Sequence, residues 1–298
     1  MDTAALQGLL KDLPLGPLRF YDRLGSTNDE AARWAEAGAP DLSLVVADEQ
    51  TAGRGRLRRR WYTPPGSALA FSLVLRPESS GSGPEVQPIL RAPGSFPEEE
   101  KDLSKLPSKF LPRLTALGAL AVCTALRESY RLSPQIKWPN DVLVGRQKLA
   151  GVLAEATWGG ERLDAVILGI GVNVAPPSVP PEAEVSTPAT FVEAVLGRPV
   201  DRWNLLRSTL AALLSWRSRL ASPEFWQAWE DSLAFRGETV YLQVEGQAPL
   251  EGQVLGLDQE GALRLRLPTG EVTTLQIGEV RLRPVDSPPR STKLDRER

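Results

Sequence analysis

The sequence predicts a mixed α/β chain: a central mixed sheet with flanking helices, followed by a small β-barrel. Three observations predict it. Apolar runs of strand length alternate with helix-patterned stretches through residues 18–235. From residue 236 the rhythm changes to short strands recurring about every eight to twelve residues between turn signals. The 298 residues, 42% hydrophobic and 24% charged, suffice for one large core and a smaller one.

The elements follow in order. Residues 1–17 are amphipathic with acids among them, which fits a short N-terminal helix and no signal peptide. "LRFYDRL" (18–24) alternates as a strand. "GSTNDEAARWAEAG" predicts a helix: Ser26 or Thr27 caps it, Asp29 and Glu30 suit its first turn, and Gly38 lies near its end. "LSLVVADE" (42–49) and "SALAFSLVLRP" (67–77) read as strands around an arginine-rich loop. Residues 78–109, rich in Pro, Gly, Ser and charge, read as an insertion without regular structure. "LPRLTALGALAVCTALRESY" (111–130) is apolar round most of its circumference, a buried helix. Residues 135–158 read as strand, turn and strand with a hairpin at Gly145, and 163–175 as a further buried strand. Two or three helices are expected between about 189 and 232. Residues 236–284 read as a five-stranded, SH3-like barrel, and 285–298 as a disordered tail.

Composition narrows the chemistry. A net charge of −2 argues against a protein living on nucleic acid, so any basic cluster is a local device. The chain has no histidine and a single cysteine, Cys123, placed in an apolar helix. Histidine bases, Ser-His-Asp and Cys-His systems, disulfides and thiolate zinc clusters are thereby excluded. Catalysis must rest on Lys, Arg, Asp, Glu, Asn and backbone amides, with Mg²⁺ as an option, which suits phosphoryl or nucleotidyl transfer. No apolar run has the length of a membrane span, and a cytoplasmic protein is expected.

Three polar clusters stand out. In "ADEQTAGRGRLRRRWYTPPG" Gly53 and Gly55 free the backbone, Arg54, Arg56 and Arg59 offer forked donors for carboxylate or phosphate, and Trp61 could stack on a base. The bland alternative is a solvated basic loop. In "KWPNDVLVGRQKLAGV" Asn140 and Asp141 follow Pro139 at a strand end, and Lys137 and Lys148 bracket the hairpin. A plain Asn-Asp turn with surface lysines fits as well. In "LGIGVNVA" the lone Asn173 either bonds within the core or touches a ligand.

Together, "GSTNDEA" (25–31), "DEQTAGRGRLRRRWYTPPG" (48–66), "KWPNDVLVGRQKLAGVLAE" (137–155) and "LGIGVNV" (168–174) resemble the biotin–protein ligases, in order and followed by a small barrel. The resemblance spans roughly residues 18–284 and implies a class II synthetase-like catalytic domain at 18–235. It implies that biotin and ATP, with Mg²⁺, give biotinyl-5′-AMP. The biotinyl group then passes to a lysine of the biotin carboxyl carrier domain of a carboxylase. It further implies Lys148, Arg56 and Asp141 as the catalytic set. Ser26, Thr27, Asn28, Gln50, Gly53, Arg54 and Gly151 would surround biotin, with Arg56 and Lys148 reaching its carboxylate. Arg56, Arg59, Trp61, Asn140, Asp141, Lys148 and Asn173 would face the adenylate. The arginine loop is expected to close over that adenylate. Dimerisation through the central sheet, frequent in the family, is left open.

Three departures accompany the resemblance. Arg58 stands where the family usually has a small residue. The insertion at 78–109 has no assigned role. Only about 17 residues precede the first strand, so no DNA-binding helix-turn-helix, and hence no repressor activity, is expected. Two rival readings fit the sequence less well. A lipoate or octanoyl transferase would need a histidine or a cysteine nucleophile, and this chain has no histidine and only the helical Cys123; a nucleic-acid-binding module conflicts with the net charge.

Overall fold

The computed structural model describes residues 1–56, 59–76, 106–159, 162–179, 188–243, 250–275 and 281–284. The insertion expected at 78–109, apart from its helical end from Leu106, and the tail at 285–298 lie outside the described residues, as does Arg58. Two compact units are present, Met1–Ala234 and Phe235–Arg298.

The first unit is built on a seven-stranded sheet. Its strands are β1 (Leu18–Leu24), β2 (Leu44–Gln50), β3 (Ala68–Leu75), β4 (Gln135–Lys137), β5 (Asp141–Val144), β6 (Gln147–Gly159) and β7 (Arg162–Asn173). Their order is β1-β2-β3-β7-β6-β5-β4. The β1–β2 pair is parallel and the other pairs are antiparallel, so the sheet is mixed. Because β2 and β7 both run against β3, β2 and β7 point the same way. Gln50, Asn173, the Asp141–Gly151 pair and Lys148 therefore gather at one end of the sheet. Ligand sites of α/β sheets concentrate at such strand ends.

Among the described residues six α-helices accompany the sheet: α1 (Thr3–Leu10), α2 (Thr27–Glu36), α3 (Leu106–Tyr130), α4 (Val192–Leu196), α5 (Arg202–Arg217) and α6 (Pro223–Asp231). Strand side chains alternate between faces, so odd and even positions of β7 look to opposite sides. Helix α2 buries Ala31 and Ala35 against Val45, Val74, Ala165 and Ile167 on one face. On the other, α3 approaches so closely at Gly118 that Val152 and Ile170 touch its backbone. Leu117, Leu120 and Leu126 of α3 are fully buried, each contributing about 1.5–3 kcal/mol relative to exposure.

Ser26 is the N-cap residue of α2, in extended conformation, but its side chain makes no cap hydrogen bond; Asp29 and Glu30 stand in the first turn as expected. The β5–β6 hairpin turns on Gly145 and Arg146, both at positive φ, 56° and 66°. Paired positive φ angles are those of a type I′ hairpin turn, whose twist matches the flanking strands.

Cys123 is buried in α3, and burial pushes its thiol up to about 12. The native protein is expected to give no reaction with a thiol reagent at neutral pH, and its single thiol to react once guanidinium unfolds the chain. Prompt reaction of the native protein would contradict this placement.

The second unit is an antiparallel sheet of β8 (Thr239–Gln243), β9 (Leu250–Leu257), β10 (Leu263–Arg266), β11 (Val272–Leu275) and β12 (Arg281–Pro284). The expected five strands are present, with Gly261 and Gly270 at positive φ in turns. Their order is β11-β10-β9-β8-β12, so among the described residues the ladder is open, with β11 and β12 at its edges.

Candidate active site

A polar network occupies the α2 side of the sheet. Gln50 Oε1 accepts from the Thr27 amide at 2.8 Å and from its hydroxyl at 3.1 Å. Gln50 Nε2 donates to Thr63 Oγ1 at 3.1 Å, which fixes which end of the amide points where. Ser72 Oγ lies 2.8 Å from Thr27 Oγ1 and 2.6 Å from Asn28 Oδ1, while Asn28 Nδ2 donates to Glu155 Oε2 at 2.7 Å. Thr27, Asn28, Gln50, Thr63 and Ser72 are buried, as is Ser26 beside them. Buried polar groups of this kind cost free energy unless paired, so the mutual bonding sets their orientation.

The arginine loop crosses this network. Its two ends pair as a short ladder, Gln50 with Thr63 and Arg54 with Arg60, and the Trp61 amide donates to the Gly53 carbonyl at 2.8 Å. Gly53 is required by contact: a Cβ there would lie 2.4 Å from the Trp61 carbonyl oxygen. Arg54 forks onto Glu155, Nη1 to Oε1 at 2.9 Å and Nη2 to Oε2 at 2.8 Å, and Nη2 also reaches Asp29 Oδ1 at 2.7 Å. Arg60 is exposed and donates to the Thr51 carbonyl at 3.2 Å. Trp61 folds back onto bare backbone. Its ring lies where a Cβ on Gly171 or Gly151 would be, 2.3 and 3.1 Å from those hypothetical atoms. Its indole Nε1 is buried with no acceptor among the described residues.

Next to Trp61 is a cluster of cations. Lys148 Nζ lies 5.3 Å from the centre of the Trp61 ring, within cation–π range, and 2.6 Å from Asp141 Oδ1. Lys137 Nζ is 3.8 Å from the other Asp141 oxygen. Arg56 Nη1 donates to Asn140 Oδ1 at 3.4 Å, and Asn140 Nδ2 donates to the Val152 carbonyl at 3.0 Å. Arg56 and Arg59 both feel the Asp141 charge. Burial lowers the Arg56 guanidinium from its ordinary value, Asp141 opposes that, and Arg59 adds to it. A guanidinium so shifted stays charged at neutral pH.

Burial alone would raise the Asp141 carboxyl. The ammoniums of Lys148 and Lys137, a hydrogen bond from Lys148 and the charge of Arg59 outweigh it, and the group ends below the ordinary carboxylate range. A depressed folded-state value means stability that is present above the unfolded-state pKa, near 4, and is lost as pH falls through the lower folded-state value. Asp141→Asn is therefore expected to be less stable than wild type at pH 7, by about 1–3 kcal/mol. The gap should shrink as pH drops below about 4. Urea unfolding at pH 7 and pH 3 reads both, and a gap that stays constant would contradict the depressed carboxyl.

The profile of the "Biotin/lipoate A/B protein ligase family" matches residues 20–93 and 96–173, which contain this whole arrangement. The biotin–[acetyl-CoA-carboxylase] ligase of Paracoccus denitrificans is 34% identical over 252 residues, 83% of this chain and 93% of that protein. The chain belongs to the biotin/lipoate A/B protein ligase family, among its biotin protein ligases. The bifunctional ligase/repressor BirA of Bacillus subtilis is 31% identical over 257 residues, 85% of this chain and 70% of that protein. Biotin protein ligase from Aquifex aeolicus, solved in complex with biotin and ATP, has a TM-score of 0.69 at 27% identity, over 90% of this chain and 99% of that one.

For this family member, the residues singled out from sequence fall into two neighbouring groups. Thr27, Asn28, Gln50, Gly53 and Arg54 form the first; Arg56, Arg59, Asn140, Asp141 and Lys148 form the second; Trp61 and Gly151 lie between them. Asn173, at the same end of the sheet, bonds in another direction: its Nδ2 donates to the Thr190 carbonyl at 3.0 Å, joining β7 to the chain beyond it. Lys148 is tied to the same segment through its backbone, with its amide on the Pro188 carbonyl and its carbonyl accepting from Thr190. Glu155, Ser72 and Thr63 are the members that sequence reading missed. Among the described residues no cluster of three or more His, Cys, Asp or Glu is arranged to hold a metal, and no helix is long and apolar enough to cross a membrane.

Proposed function

We propose that this chain joins biotin to ATP, forming biotinyl-5′-AMP and pyrophosphate, and then transfers the biotinyl group to a lysine amine on the carrier domain of a biotin-dependent carboxylase. The observation that carries the reading is the gathering of Lys148, Lys137, Arg56 and Arg59 round one carboxylate, Asp141, beside the side-chain-free strip at Gly151 and Gly171. Adenylation brings a carboxylate and a triphosphate together, and fixed cations are what such a transition state needs. The relatives' names and the biotin and ATP bound by the Aquifex protein support the same substrates.

In this reading a biotin carboxylate oxygen attacks the α-phosphorus, and the bond to the bridging oxygen breaks as pyrophosphate leaves. Lys148 donates one N–H to Asp141 and turns the others to the attacking carboxylate and an α-phosphate oxygen. Asp141 keeps that ammonium aimed. Arg56 bridges carboxylate and phosphate, while Arg59, Asn140 and Trp61 hold the nucleotide. Ser26, Thr27, Asn28 and Gln50 meet the ring system of biotin. In the second step the carrier lysine, as free amine, attacks the acyl carbon, AMP leaves, and the amine proton passes to solvent. Mg²⁺ enters bound to ATP, as part of the substrate, with phosphate oxygens and water as its main ligands. The net charge of −2 favours a carrier protein over DNA as partner, so no specific retention of an operator duplex is expected.

Biotin-dependent ATP–pyrophosphate exchange by the purified chain tests the first step. Biotin incorporation into a carrier domain tests the second. Absence of biotin-dependent exchange would refute the proposal.

A further inference from the structure

Three segments distant in sequence meet at one carboxylate. Glu155 sits on β6 opposite Ile167 of β7. Its two oxygens hold both terminal nitrogens of Arg54 at 2.9 and 2.8 Å, and Oε2 also accepts from Asn28 at 2.7 Å. Asp29, from the first turn of α2, reaches the same guanidinium at 2.7 Å. Arg54 thus meets two carboxylates. Asn28 is held between Glu155 and Ser72, with its Oδ1 pressed so close to Gly169 that a Cβ there would lie 2.0 Å away.

Forked Arg–carboxylate pairs fix direction as well as distance. This network is partly solvated, so it contributes little to global stability. What it fixes is geometry. It sets the aim of Arg54 and the base of the loop, where Trp61 bonds to Gly53, and it sets which face of the Asn28 amide the site presents.

We propose that Glu155 is a positioning residue for the biotin-binding half of the site, an inference that rests on the ligase reading. By neutralising Arg54 it turns that arginine into a latch between loop, helix and sheet, and leaves the biotin carboxylate to Arg56 and Lys148. Glu155 touches no reacting atom. Its loss changes how well the acid substrate is received, not how fast the bound acid reacts.

The test compares Glu155→Ala and Glu155→Gln with wild type in two assays: biotin-dependent ATP–pyrophosphate exchange, and trypsin cleavage between residues 54 and 60 without substrates. For Glu155→Ala the biotin KM is expected to rise about tenfold with kcat within about threefold. Cleavage of the substrate-free chain should quicken about fivefold or more. Glu155→Gln, which keeps an acceptor for Asn28 but loses the charge that holds the fork, lies between. In the exchange assay, adding Arg54→Ala to Glu155→Ala makes little further difference, as expected for two ends of one contact. A fall in kcat at unchanged KM, or wild-type behaviour in both assays, overturns the proposal. If wild type itself shows no exchange, the ligase reading fails, and the trypsin rates alone decide whether the latch exists.

Discussion

Lys148→Ala is expected to slow biotin-dependent ATP–pyrophosphate exchange at saturating substrates by about 10²–10³-fold, the usual loss when one preorganised transition-state donor is removed. The expectation follows from the position of its ammonium, 2.6 Å from Asp141 and over the Trp61 ring. The substitution also strips a buried carboxylate of its nearer partner. Breaking a buried pair costs about 3–5 kcal/mol, with the remaining Lys137 at 3.8 Å keeping the loss toward the lower end. Rates should therefore be read well below the melting temperature of the variant. Lys148→Arg keeps the charge but replaces a compact ammonium by a planar fork, and recovers only part of the rate. Exchange by Lys148→Ala within about threefold of wild type would remove Lys148 from the reacting centre.

The second large effect belongs to Gly171→Ala. The new Cβ would stand 2.3 Å from the Trp61 ring, so the ring must retreat by about 1 Å to reach ordinary contact. Retreat is cheaper for the loop than for the sheet, because Gly171 is paired on both sides, with Ala70 and Gly151. The stability loss is thus the modest one of overpacking, about 1–3 kcal/mol. Function should suffer more: displacing a loop that carries Arg54, Arg56 and Arg59 by about 1 Å is worth up to about 10²-fold in kcat/KM. Thermal melting and exchange kinetics on the same sample separate the two. A variant with unchanged kinetics would show that the resting place of Trp61 has no bearing on the reaction.

Much of the fold was legible because its signals are local. Strand β1 alternates from Leu18 to Leu24 and is observed over those residues. The Ser26 cap and the Gly145 turn follow from residue types that tolerate those backbones. Helix α3 was placed from Leu111, yet it begins at Leu106. The stretch "LPSKF" carries no clear apolar period, and Pro112 lies inside the observed helix, where a proline removes one backbone hydrogen bond. Closure of the second sheet had no local signal either, since strand tilt and stagger decide it.

The same division runs through the site. Lys148, Asp141 and Asn140 lie on one short hairpin, so their proximity was readable. Glu155 was not: it meets Arg54 across 101 positions and Asn28 across 127. On a strand, an acid among alanines and leucines looks like an ordinary outward-facing residue. Ser72, in a strand that is buried along its whole length, gave no hint that its hydroxyl joins Thr27 to Asn28.

The place of β7 between β3 and β6 also bears on how the chain is made. β3 is complete at Leu75, but its neighbour β7 ends only at Asn173, close to a hundred residues later. At the usual ribosomal pace of about 5–20 residues per second, a strand destined for full burial waits about 5–20 s for its partner. During that interval β1, β2 and β3 present an open apolar edge, which makes the nascent chain vulnerable to association before the centre of its own sheet has been synthesised.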